Sequence, residues 1–261
     1  MLFYIRYNNK DDKNEQWEGV LDKLLPQKYE VDEVNLSKAL NRIKNKKSLL
    51  FTMSGKMGSG KDTVGDLISK ELISKGYRLI NTSFGYLIRN EITNIVNDYR
   101  KSNDKEKYAI EVNVNKKDLD KLSYYLQDCT AFDRTDEARA ALQFWGTEIR
   151  RKQQDNYWIN KMSEFIVNSV NNGLSVNITD ARFPNEVDLV KDLAGKTIRL
   201  DVPEEIRIER VEKRDNIKVN RESLNHISET ALDNYNFERV FDGTKALYEL
   251  CEEGVNYIIN K

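Results

Sequence analysis

One histidine and two cysteines in 261 residues leave little material for a metal centre or a disulfide framework. His226 stands alone, so histidine clusters are nearly excluded, and a Ser-His-Asp triad would lack a G-x-S-x-G context. Cys129 and Cys251 lie far apart and neither sits in a C-x-x-C, which argues against a stapled scaffold or a zinc site and fits a reducing cytoplasm. No apolar run approaches the length of a membrane span, and Met1 to Tyr7 is too short for a signal peptide. A soluble cytoplasmic chain with no membrane partner is expected. An excess of one charge is also missing: 42 Lys and Arg stand against 43 Asp and Glu. A nucleic-acid partner is therefore not expected, and any basic site must be local.

What is present begins with Gly55-Lys56-Met57-Gly58-Ser59-Gly60-Lys61-Asp62-Thr63, after the apolar stretch Leu49 to Met53 and before helical patterning from Val64. This is the setting of a phosphate-binding loop. Glycines let backbone N–H groups turn inward around a polyphosphate, the next helix offers its positive end, and Lys61 reaches the outer phosphates. An ordinary glycine turn is the plain alternative. The Ser or Thr usual after the lysine is replaced by Asp62, so either Thr63 supplies the hydroxyl near Mg²⁺ or Asp62 acts through a metal-bound water.

Residues 1–47 read as an extension packed on the core, with a strand at Leu2 to Tyr7 and helices near Trp17 to Leu25 and Leu36 to Ile43. Residues 48–261 read as the main domain. Strands are expected at Leu49 to Met53, Arg78 to Ser83, Ser175 to Thr179, Thr197 to Val202 and Arg239 to Phe241, with helices between. That alternation predicts an α/β fold with a parallel β-sheet flanked by helices. Gly55, Ser83-Phe84-Gly85, Asp180 and Asp242-Gly243 all follow strands, where such sheets collect ligands, and are expected to share one cleft. The polar, lysine-rich stretch 97–136 reads as a mobile insertion over that cleft or as a solvated helical excursion.

Three further blocks carry chemistry. On a helix, Arg139, Gln143 and Gly146 share a face at i, i+4 and i+7, an arrangement suited to a phosphate and a base edge, or to a plain surface helix with solvated arginines. Gly146 costs about 1 kcal/mol against Ala inside a helix, so it implies close approach of a ligand or backbone, or a helix end. In Ser175 to Glu186 a strand leads to Asp180, placed to hold Mg²⁺ through water, with Arg182 available to an anion and Pro184 keeping Phe183 extended. Arg207, Arg210 and Arg214 fall at i, i+3 and i+7, which suits a lid over residues 203–230 that closes on phosphates; the interleaved Glu204, Glu205, Glu209 and Glu212 suit an ion-paired surface helix.

Taken together, G-K-M-G-S-G-K-D-T at Gly55 to Thr63, R-A-A-L-Q-F-W-G-T-E at Arg139 to Glu148, Tyr157-Trp158, T-D-A-R-F-P-N-E at Thr179 to Glu186 and H-I-S-E at His226 to Glu229 resemble the deoxynucleoside monophosphate kinases of bacteriophages, within the nucleoside monophosphate kinase group of P-loop proteins. The resemblance runs from about Leu49 to the C-terminus. It implies a P-loop kinase fold with helical acceptor-binding and lid segments, and transfer of the γ-phosphoryl of ATP, with Mg²⁺, to a deoxynucleoside monophosphate. By carry-over, Gly55, Met57, Gly58, Ser59, Gly60, Lys61, Asp62 and Thr63 hold ATP, and Asp242-Gly243 closes on its adenine. Phe84, Arg89, Arg139, Gln143, Gly146, Thr147, Arg150, Trp158 and Arg182 face the acceptor. Lys61, Asp180, Arg207, Arg210 and Arg214 serve the transfer, and Asp62, Thr63 and Asp180 stand near the metal, through water. His226 is expected to be structural. Two other readings stay open: a kinase for another phosphorylated small molecule, and a nucleotide-sensing regulatory ATPase. A homodimer is also left open.

Overall fold

The computed structural model describes residues 31–133, 135–216, 218, 219 and 224–260. The strand and helix expected at Leu2 to Tyr7 and Trp17 to Leu25 lie outside the described residues. The chain divides into two compact units, one made of residues up to Ser83 and from Ser163 onward, the other of Phe84–Met162.

In the first unit, helix α1 (Glu33–Lys44) is started by Asp32, whose carboxylate accepts the Asn35 N–H at 2.7 Å. It is followed by β1 (Leu50–Ser54), α2 (Lys61–Ser74) and β2 (Leu79–Thr82). The second unit holds α3 (Phe84–Lys101), α4 (Lys105–Glu111), α5 (Lys116–Tyr125) and α6 (Asp136–Gln143), which runs on as a π-helix over Phe144–Arg151. Helix α7 (Tyr157–Asn171) carries the chain back into the first unit. There follow β3 (Ser175–Ala181), α8 (Pro184–Asp192), β4 (Lys196–Asp201), α9 (Glu204–Asp215), the short α10 (Ile227–Thr230), β5 (Arg239–Asp242) and α11 (Leu247–Ile259).

The five strands form one all-parallel sheet in the order β2-β3-β1-β4-β5. All five fall where the alternation predicts them, with no end shifted by more than two residues. Every residue of β1 is buried, as a central parallel strand covered on both faces requires. Phe51 and Met53 join the cluster of Val64, Ile68 and Leu72 from α2 and Leu250, Val255 and Ile258 from α11. Leu50 points the other way, toward Gly195 and Val190 of the α8 side. Among the described residues, no helix is long and apolar enough to cross a membrane.

One departure bears on function. The expected strand end at Thr179 is too early, because β3 continues to Ala181. Its pairing with β1 shifts between Thr52↔Ile178 and Ser54↔Ala181, so two steps on β1 answer three on β3. The extra residue falls at Thr179-Asp180, and a bulge there re-aims the strand's last side chains.

The polar stretch 97–136 lies in the second unit and is helical. Residues in this stretch form α4 and α5 and bury Ala109, Leu119, Leu122, Leu126 and Ala131, with α5 packed on α3 and α6. The polar residues cover one side of an apolar helical layer.

Candidate functional site

The loop after β1 is shaped by two glycines that no other residue replaces cheaply. Gly60 ends it with φ +87° and serves as N-cap of α2 without any side-chain cap of its own, while the first amide of that helix, Lys61, donates to the Ser59 hydroxyl at 3.4 Å. Gly58 has φ +79°, and a Cβ there would lie 2.3 Å from the Arg207 carbonyl oxygen of α9. Gly58→Ala should therefore lower Tm, with about 1–2 kcal/mol from the left-handed backbone alone, and should loosen α9. Faster amide exchange over 204–215 would show it; unchanged exchange would contradict this packing.

Helix α9 is clamped onto the loop rather than held open. Arg207 is 5% exposed and donates from Nε to the Val202 carbonyl at 3.1 Å and from Nη1 to the Met57 carbonyl at 3.2 Å, with Glu204 at 3.5 Å. Arg210 donates to the Ser59 carbonyl and the Gly243 carbonyl, each at 3.2 Å. The guanidinium groups of these two residues, expected in a lid, are committed here to backbone oxygens, and the first turn of α9 lies against Gly58. Arg214 is exposed, one turn further along the helix.

Lys61 is 6% exposed, yet its ammonium makes no hydrogen bond among the described residues, and its one charge partner is the Asp62 carboxylate at 3.8 Å. An ammonium has three protons to place, and burying them unplaced is costly. The amides of Gly58 and Gly60 likewise have no acceptor among the described residues. Asp62 and Thr63 are both exposed on the first turn of α2, so both routes to a metal stay available.

Beside the loop stands Arg182. Pro184 at the first position of α8 leaves Phe183 extended (φ −123°, ψ 150°), as its sequence predicts. The buried Glu186 carboxylate then accepts the Arg182 and Phe183 amides at 2.7 and 3.2 Å, which fixes the turn. The Arg182 guanidinium pairs with Glu229, whose other oxygen accepts the Met57 N–H at 2.7 Å. Burial alone would pull Arg182 toward losing its proton; Glu229, Asp180 and Asp62 outweigh it and hold the guanidinium charged. His226 caps α10, its Nδ1 accepting the Ser228 amide at 3.2 Å, and so presents Glu229. At the far edge, the Gly243 amide donates to the Asp201 carbonyl at 2.7 Å, and Asp242 lines a groove of about 510 Å³ with Asp201, Pro203, Val240, Phe241 and Thr244.

The acceptor candidates of the second unit separate into two sets. Arg139 and Gln143 are exposed, Arg139 resting 3.3 Å from Asp136, and Thr147 opens onto a groove of about 830 Å³ with Asn115, Asp118, Phe144 and Lys152. Arg89 donates to the Ala131 carbonyl, and Phe84 is 3% exposed. Gly146, Arg150 and Trp158 belong to the interior. The expected shared face of Arg139, Gln143 and Gly146 is broken, because the α-helix gives way at Phe144 to the wider i→i+5 turn. Gly146 exists for packing, since a Cβ would lie 2.9 Å from Ile88 Cδ1. Trp158 is fully buried and donates its indole N–H to the Gly146 carbonyl at 2.9 Å.

Arg150 is drawn into a network that spacing did not reveal, centred on Glu91 of α3. Glu91 accepts from Arg150 Nε at 2.8 Å, Trp145 Nε1 at 2.9 Å and Tyr157 Oη at 2.6 Å, with Lys161 Nζ at 3.0 Å. The guanidinium also stacks between the Trp145 and Tyr157 rings, 4.6 and 5.0 Å from their centroids. One signal could have found Glu91: it sits four residues from both Leu87 and Ile95, an acid inside the apolar stripe of its helix. Nothing in the spacing around Glu229 singles it out.

No protein-family model matches the chain, and no curated protein matches it.

Proposed function

We propose that the protein is a P-loop phosphotransferase that moves the γ-phosphoryl of ATP to a nucleoside monophosphate, with deoxynucleotides as the preferred acceptors. The observation that carries this reading is the Lys61 side chain, 6% exposed as a residue and with no hydrogen-bond acceptor on its ammonium, in the same loop as the Gly58 and Gly60 amides, which also lack an acceptor among the described residues. A polyphosphate is the ligand whose oxygens satisfy all three at once.

The residues fit ATP with Mg²⁺. Among the described residues, no group of three metal-ligating side chains exists, so the ion would arrive with the triphosphate, near Asp62, Thr63 and Asp180. The bound nucleotide supplies the transferable phosphoryl group and the metal its charge neutralisation. What the chain does is bind and orient: Lys61 and the loop amides hold the donor phosphates, the groove at Asp242 receives the base, and Arg182 meets an anion at the end of β3. In the second unit by itself, Arg139 and Gln143 are exposed and Thr147 is half-buried. Gly146, Arg150 and Trp158 are assigned to architecture.

The test is ADP formation by purified protein with ATP and Mg²⁺ over a panel of ribo- and deoxyribonucleoside monophosphates. Acceptor-dependent ADP with the matching diphosphate supports the reading; acceptor-independent ADP would make the protein an ATPase, and neither product would remove the kinase assignment.

A further inference from the structure

We infer that Arg207 and Arg210 are positioning residues that aim the loop's amide donors, and that they do so without touching the phosphates. The inference rests on the proposed use of the loop as a phosphate site. Its physical basis is peptide geometry. In a trans peptide the carbonyl of one residue and the N–H of the next point in opposite directions, and the described chain has no cis bond. Arg207 holds the Met57 carbonyl, so the Gly58 N–H is turned away from α9; Arg210 holds the Ser59 carbonyl, so the Gly60 N–H is turned away as well. Both amides are without an acceptor among the described residues, as is that of Lys56 earlier in the loop.

The third peptide is fixed from the opposite side. Glu229 takes the Met57 N–H, and the carbonyl of that same peptide, Lys56, accepts the Ser59 N–H at 3.0 Å. Three charged side chains thus set the planes of three of the loop's peptides, 56–57, 57–58 and 59–60, in a segment where Gly58 and Gly60 have φ angles of +79° and +87°. Arg210 adds a link to the base groove, because its second nitrogen holds the Gly243 carbonyl, on the turn that follows Asp242. A guanidinium reaches both oxygens from one planar fork; an ammonium is a single point and does not.

Arg210 is exposed, so its substitution leaves the core intact and gives the cleaner test. Binding of ADP with Mg²⁺ by calorimetry is compared for wild type, Arg210→Met and Arg210→Lys, with Tm as the folding control and amide exchange at Gly60 measured without ligand. Positioning predicts that ADP affinity falls about 10-fold or more in Arg210→Met, that Arg210→Lys does not restore it, that Gly60 exchange rises in both, and that kcat at saturating ATP stays within about threefold. Rescue of affinity by lysine, or a fall in kcat with affinity and Gly60 exchange unchanged, would overturn the inference and return Arg210 to direct charge contact. Wild-type protein that binds no ADP would instead sink the phosphate-site reading and the inference with it.

Discussion

Lys61→Met is expected to lower acceptor-dependent ADP formation by about 10²–10³-fold, the cost of deleting one donor aimed at developing charge, while the ligand-free protein melts at the wild-type temperature or above it. Both halves follow from one fact. In the free protein Lys61 is 6% exposed as a residue, and its ammonium has only Asp62, at 3.8 Å, as a charge partner among the described residues. A buried charge that lacks acceptors costs stability, and methionine keeps most of the apolar stem while removing that charge. The same charge is what the donor phosphates would neutralise. A structural lysine behaves oppositely: its loss lowers Tm and touches activity only through unfolding. A variant with lower Tm and unchanged turnover would therefore remove Lys61 from the site.

Glu91→Ala is expected to destabilise the protein by about 3–5 kcal/mol, the range for leaving a buried charge without its partner, or roughly 6–20 °C in Tm for a chain of this size. Arg150 is the charge left behind, with its side chain 7% exposed, and the indole of Trp145 and the hydroxyl of Tyr157 lose their acceptor together. The network also sets a pH response. Burial alone would raise the Glu91 carboxyl, but Lys161 and Arg150, with the hydrogen bonds from Tyr157 and Trp145, hold it below the free value of 4.5. Folding thus keeps the proton off Glu91. Its contribution is complete above pH 4.5 and is lost as pH falls through the depressed value in the folded state. Thermal melts at pH 7 and at successive steps below pH 4.5 should show this loss in wild type and a smaller one in Glu91→Gln. Equal acid sensitivity in the two proteins would place the responsible carboxylate elsewhere.

These two residues mark how far the chain could be read before its structure. The sheet was legible because parallel strands are short apolar runs broken by helical patterning, and β1, β2, β3, β4 and β5 each left that trace. The glycine loop was legible because its chemistry demands particular residues in order. What pattern did not carry was partner choice. Spacing put Arg207, Arg210 and Arg214 on one side of α9, but only packing shows that the first two meet backbone oxygens of the loop. Helical periodicity likewise assumed an unbroken α-helix past Gln143, and the change to i→i+5 bonding at Phe144, with Gly146 against Ile88, is set by tertiary contact. Asp180 was placed one step outside a strand that contains it, because a bulge is a mismatch between two strands and neither sequence alone encodes it.

The central claim is transfer, and ATP labelled in its γ-phosphoryl group tests it most directly. With a nucleoside monophosphate that supports ADP formation, the label should appear in the β-position of the new diphosphate with little free phosphate, and this transfer should fall by about 10²–10³-fold in Lys61→Met. Label released only as inorganic phosphate, at a rate indifferent to the acceptor, would contradict the account.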